Sequence, residues 1–131
     1  SFLISPHIKN CKYGKVTISF VSAAYKDDKP NIMLSLIDYE GNVIDRTNIV
    51  ADGKRQLIVF DNQYCKPFNL YVAPTARCYI YSIGIYDGAF SESDFAATRA
   101  AGDVLYIMCM TQNMNSLRYS PMWCIDGVFR L

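Results

Sequence analysis

The chain has 131 residues and a formal net charge of +1, with ten tyrosines, five cysteines, one histidine and one tryptophan. That length supports one domain with its own apolar core and needs no metal or disulfide framework to fold. Near-zero charge with scattered basic residues excludes the electrostatic footprint of a nucleic-acid binder, and no apolar run approaches the ~20 residues that span a bilayer.

No basic-apolar-small leader opens the chain, and Ser1-Phe2-Leu3-Ile4-Ser5 reads as the inside of a strand. The expectation is a single domain over 1–131, processed or excised from a larger secreted or surface protein. Phe2 to Ile8 reads as an edge segment, because Pro6 removes a ladder donor. Lys15 to Ala24 alternates, with Val16, Ile18 and Phe20 on one face and Thr17 and Ser19 on the other. Tyr25 to Pro30 is a charged loop. Ile32 to Ile37 is apolar on both faces, as a central strand would be.

Tyr39-Glu40-Gly41-Asn42 carries hairpin turn chemistry and Val43 to Val50 returns from it. Asp52-Gly53 reads as a second hairpin turn leading to Gln56–Phe60. Pro67 opens a strand over Phe68–Val72, and Arg77–Tyr86 is the longest alternating segment. Ser91 to Gly102 has a serine N-cap, acids in its first turn, alanines and a closing glycine, so it predicts one short helix near 92–101. Val104–Thr111 is a strand, Gln112–Tyr119 a polar loop and Ser120–Leu131 a terminal strand. Many short strands joined by turns predict an all-β antiparallel sandwich, jelly-roll-like, with that one helix.

Cys11, Cys65, Cys78, Cys109 and Cys124 are odd in number and contain no Cys-x-x-Cys, so spacing gives no zinc site. Most have apolar, strand-like neighbours, which favours free thiols acting as small hydrophobes. One or two disulfides are the alternative in an oxidising compartment.

Ser5-Pro6-His7-Ile8 followed by Gly14-Lys15-Val16-Thr17-Ile18-Ser19-Phe20 resembles the opening of bacterial jelly-roll modules. Trp123-Cys124-Ile125-Asp126-Gly127-Val128-Phe129-Arg130-Leu131 resembles their closing strand. The family is the broad group of galactose-binding-domain-like and carbohydrate-binding-module-like β-sandwiches. The resemblance covers the two chain ends and implies carbohydrate binding, in secreted or surface proteins or phage appendages. It also implies a structural calcium held by carboxylates. Asp126 matches the last-strand position, whereas no N-terminal carboxylate partner is in view. The alanine-rich segment departs from the family pattern.

Catalytic chemistry finds little support in the residues. Asp27 and Asp28 are adjacent in a charged loop, and Asp38 and Glu40 flank a turn, so neither pair reads as a facing glycosidase pair. His7 is the single histidine and lies in no nucleophile motif. Aromatic rings remain as the resource, since they stack on the apolar faces of sugars while amides and charges take the hydroxyls. Tyr25 and Tyr64 sit in or beside polar loops, and Tyr119 closes the amide-rich segment that holds Asn113, Asn115 and Arg118. Trp123 completes the set.

The expectation is therefore a non-catalytic carbohydrate-recognition module, extracellular or cell-surface (alternatively on a virion), with no cofactor; the structural calcium is implied by the resemblance alone, and the missing N-terminal carboxylate counts against it. Its partners would be a polysaccharide or glycan and other domains of the same polypeptide or assembly. The alternative is a structural or adhesion domain. A glycan-active enzyme domain ranks third.

Overall fold

The structure is a computed structural model and describes residues 3–9, 11–28, 30–93, 104–113, 118–125 and 128–130; from residue 104 onwards it describes strand pairing. Ten strands follow in order: β1 (Leu3–Ile4), β2 (Lys15–Ala24), β3 (Asn31–Asp38), β4 (Val43–Val50), β5 (Arg55–Asp61), β6 (Phe68–Pro74), β7 (Cys78–Asp87), β8 (Val104–Asn113), β9 (Arg118–Ile125) and β10 (Val128–Arg130). They form two antiparallel sheets, ordered β1-β6-β3-β4 and β10-β9-β8-β7-β2-β5.

The alternation in β2 shows why the sheets meet. Val16, Ile18 and Phe20 are fully buried and join Phe60 in one cluster with Ile32, Leu34, Leu36, Leu70 and Val72 of the other sheet. The two sheets therefore lie face to face as a sandwich, and each large side chain between them contributes roughly 1.5–3 kcal/mol of burial.

The wiring has a simple rule. β1 pairs with β6, β2 with β5 and β3 with β4. The first six strands are thus one long two-stranded ribbon, folded twice. Its first and third pairs lie in the four-stranded sheet and its second in the six-stranded sheet. β7 to β10 then follow one another as a meander. This order is not that of a strict eight-stranded jelly roll.

Three strand expectations need correction. Asp52-Gly53 does not close a hairpin, because β4 and β5 belong to different sheets. Gly53 has the positive φ (79°) that such a turn uses, but its N–H donates to the Ser22 carbonyl (2.8 Å) and Ala51 is buried. The same turn residues carry the chain across the core edge instead of back along it. The terminal strand is in fact two, since Ile125 pairs with Val128 and Trp123 with Arg130. The Asp126-Gly127 pair between them, itself a hairpin signal, lies outside the described residues. The polar loop is shorter than expected, because Gln112 pairs with Tyr119 and Asn113 with Arg118 as ladder positions. The predicted helix, beyond Glu92 and Ser93, also falls outside the described residues.

β7 contains one irregularity that explains its pattern. Val21 pairs with Ser82 but Ser22 pairs with Ile80, so Tyr81 is an extra residue on β7. The bulge shifts the parity of the strand. Cys78 and Ile80 pack on the core before it, and Ile83 and Ile85 are buried in the core after it.

The outer face of the six-stranded sheet is partly covered as well. Thr17 is fully buried there: its hydroxyl donates to the Gly88 carbonyl (2.7 Å) and accepts from Phe90 N–H (3.0 Å). Phe90 meets Tyr86 edge-on at 6.4 Å, and Tyr86 lies across Gly84 so closely that a Cβ there would sit 2.6 Å from the ring. Among the described residues, Ser22 Oγ is a buried side-chain oxygen without a partner.

Candidate functional site

The sandwich has two ends, and they differ in chemistry. One gathers the connections 9–14, 39–42, 62–67 and 88–90, and is called the Asn62 end. The other gathers 25–30, 51–54 and 75–77, and is called the Tyr25 end.

At the Tyr25 end, β2 finishes beside the start of β7, with Ala24 opposite Cys78. Tyr25 therefore follows the last rung and lies next to β7. Its ring is 5.4 Å from that of Tyr79, and Tyr79 is stacked at 6.1 Å on Tyr81 with 16° between planes. Tyr79 and Tyr81 share a face because they are two apart in a strand. The Arg77 guanidinium lies 4.5 Å from the Tyr25 ring centre and Lys26 Nζ 5.3 Å from it, both within cation–π range. Arg77 Nε donates to Asp28 Oδ2 at 2.8 Å. That bond and the charge of Asp28 raise the Arg77 pKa further above its ordinary value. Lys26 adopts φ 52°, which turns the chain sharply after Tyr25.

A cleft of about 460 Å³ opens on the other, inner face of β7, between Leu3, Val72 and Pro74 of one sheet and Cys78 and Ile80 of the other, with Thr75 and Arg77 of the connection at its side. That volume is within the range of small-ligand sites. The Cys78 thiol is pushed upward in pKa by burial, so it behaves as a small apolar group in the wall.

The predicted site residues divide by position. Tyr25 is in the row just described. β8 runs antiparallel to β7, with Ser82 opposite Cys109, so its far end at Asn113 lies towards the start of β7. The rungs Asn113–Arg118 and Gln112–Tyr119 therefore reach the Tyr25 end of the same sheet. Trp123 sits further down, opposite Met108. Tyr64 is at the Asn62 end and is 77% exposed, away from the row. Asn115 and Asp126 lie outside the described residues. Among the described residues no cluster of three metal-ligating side chains occurs. Sequence reasoning missed Tyr79, Tyr81, Arg77 and Asp28 as a unit. The available signal was the Tyr-x-Tyr spacing, set next to a loop whose charges matched Arg77.

The Asn62 end is built differently. Asn62 is 1% exposed; its side chain donates to the Lys66 carbonyl (2.9 Å) and accepts from Lys66 N–H (3.0 Å). Asp87, also buried, accepts twice from Lys12 N–H at 3.0 and 3.1 Å. Asp38 accepts from the amides of Asn42 (2.8 Å) and Glu40 (3.0 Å), with Lys66 Nζ 3.5 Å away. These bonds, Asn42's first, hold its carboxyl below the usual carboxylate range. Cys11, Cys65 and Cys78 are half-buried free thiols, whereas Cys109 and Cys124 lie in strands known by their pairing alone. No family model, curated protein or solved structure matches the chain.

Proposed function

We propose that this domain is a non-catalytic recognition module for carbohydrate, displayed on a secreted or surface protein or on a virion. The observation that supports it is the row Tyr25, Tyr79 and Tyr81, flanked by Arg77 and Lys26. Half-buried rings held by a sheet stack on sugar C–H faces at little entropic cost. Arg77 and Asp28 supply charged donors and acceptors for hydroxyls. No bond is made or broken, and binding requires no cofactor.

Retardation of the protein in gels cast with soluble polysaccharides, together with glycan-array binding, tests this. Tyr79→Ala and Arg77→Ala should lose retention at least tenfold, and Tyr119→Ala and Trp123→Ala report whether the binding face extends over the hairpin. No retention of the wild type on any glycan sinks the proposal.

A second reading, an assembly or adhesion domain, draws on another surface. β4 and β5 each form one edge of their sheets, and Val43, Val50 and Val59 on them are 46%, 57% and 46% exposed. Open edges invite strand addition by a partner. Concentration-dependent self-association in sedimentation experiments, abolished by Val59→Lys, would favour it over the glycan reading.

A further inference from the structure

At the Asn62 end the ribbon crosses from one sheet to the other, and its two chains cross side by side. Ile8 and Phe68 form an isolated antiparallel bridge on the four-stranded side, exchanging hydrogen bonds of 2.8 and 3.0 Å. Lys15 and Asp61 form the last rung on the six-stranded side. Between these fixed pairs both chains have the same length. Cys11 is three residues beyond Ile8 and Cys65 three residues before Phe68; Cys11 is four before Lys15 and Cys65 four beyond Asp61. The two cysteines thus occupy matched positions on adjacent chains.

The bonds between the crossings agree with that match. Asn62 N–H donates to the Gly14 carbonyl (2.9 Å), and a Cβ on Gly14 would lie 3.6 Å from the Gln63 carbonyl oxygen. Cys65 N–H closes a turn on the Asn62 carbonyl at 2.8 Å. Burial first, then the nearby Asp87 and Cys65, push the Cys11 thiol up to about 11. The turn that Cys65 closes makes this no ladder rung, but it keeps the two crossing chains side by side with the Cys65 thiol in the neighbourhood of Cys11, the approach that a disulfide requires. Cys65 also adopts φ 50°, a left-handed conformation that glycine or asparagine takes at lower cost. A cysteine at that position is unexplained by backbone preference.

We infer that Cys11 and Cys65 form a dithiol–disulfide site that locks the two crossing chains of the ribbon together. The oxidant is a small-molecule disulfide. One protein thiolate attacks it and expels one thiol, and the second protein thiolate attacks the mixed disulfide and expels the other. Two cysteine thiols are oxidised to one S–S bond, and the oxidant is reduced to two thiols. The bond would close a long loop, since the cysteines belong to the β1–β2 and β5–β6 connections. Constraint of the unfolded chain is therefore its main effect.

The test uses the full chain incubated with oxidised glutathione, followed by non-reducing peptide mapping and thermal melting. The expected result is a linked Cys11–Cys65 peptide and a melting midpoint raised by roughly 5–15 °C, reversed by reductant. Cys78→Ser should retain both. Cys65→Ser should lose both while remaining folded, because this side chain lies in a half-exposed turn; Cys65→Gly should also lose the link, yet melt no lower than the reduced wild type. Any different cysteine pairing, or mixed disulfides with glutathione and no internal link, overturns the inference.

Discussion

The two ends of the sandwich perform the same topological task, carrying a two-stranded ribbon from one sheet to the other, with opposite chemistry. At the Asn62 end the polar groups point inward. Asn62, Asp87 and Asp38 are all buried and all hydrogen-bonded to backbone. At the Tyr25 end the equivalent bonds, such as Asn31 N–H to Thr75 Oγ1 and Lys54 N–H to Asp52 Oδ1, involve exposed residues. There the side chains left over are rings and cations. A crossing that satisfies its backbone from within fixes the fold, and one that satisfies it at the surface leaves side chains free for contact. Buried polar bonds are worth more because losing one strands its partner away from water.

Mutations at the two ends sharpen that contrast. Asn62→Ala should cost the most, about 2–3 kcal/mol in denaturant unfolding, because it strands the Lys66 N–H and carbonyl together. A loss below ~1 kcal/mol would show that the Asn62 end is wetter than described. Tyr79→Ala should cost about 1–2 kcal/mol through its two ring contacts, measured the same way, while removing ligand retention.

The Asp38 carboxyl gives a pH signature. Its pKa is lowered on folding, so its contribution is fully present above the ordinary value of 3.8 and is lost as pH falls through the lowered value. Acid unfolding of Asp38→Asn should be less steep below pH ~4 than that of the wild type, and identical profiles would dismiss the Asp38 turn as a pH-sensitive element. Arg77→Ala should have the smallest effect on stability, since its guanidinium is exposed and screened by solvent. A larger loss at Arg77 than at Asn62 would invert the comparison altogether.

The sequence makes much of the framework legible because period-two alternation has one physical meaning. Val16, Ile18 and Phe20 had to face a core, and Gly41-Asn42 had to turn. Partner choice was not legible: Asp52-Gly53 looks the same whether β5 returns along β4 or leaves to join β2. That choice depends on which sheet offers an edge, a long-range fact. The switch of parity across Tyr81 likewise needs a partner strand before it becomes a bulge. Tyr25 could be singled out from its polar loop, whereas its neighbours Tyr79 and Tyr81 are distant in sequence and meet it only through the β2–β7 pairing.

The nested pairing of the ribbon sets an order of events in folding. The β3–β4 hairpin closes over a few residues and is entropically the least costly pair to form. Once it exists, β2 and β5 are held close, and their pairing then brings β1 and β6 within reach. A contact such as Leu3 with Val72, remote along the chain, becomes local in time. The ribbon closes as a zip does, from its turn outward, so substitutions in β3 and β4 should slow folding and those in β1 should chiefly speed unfolding.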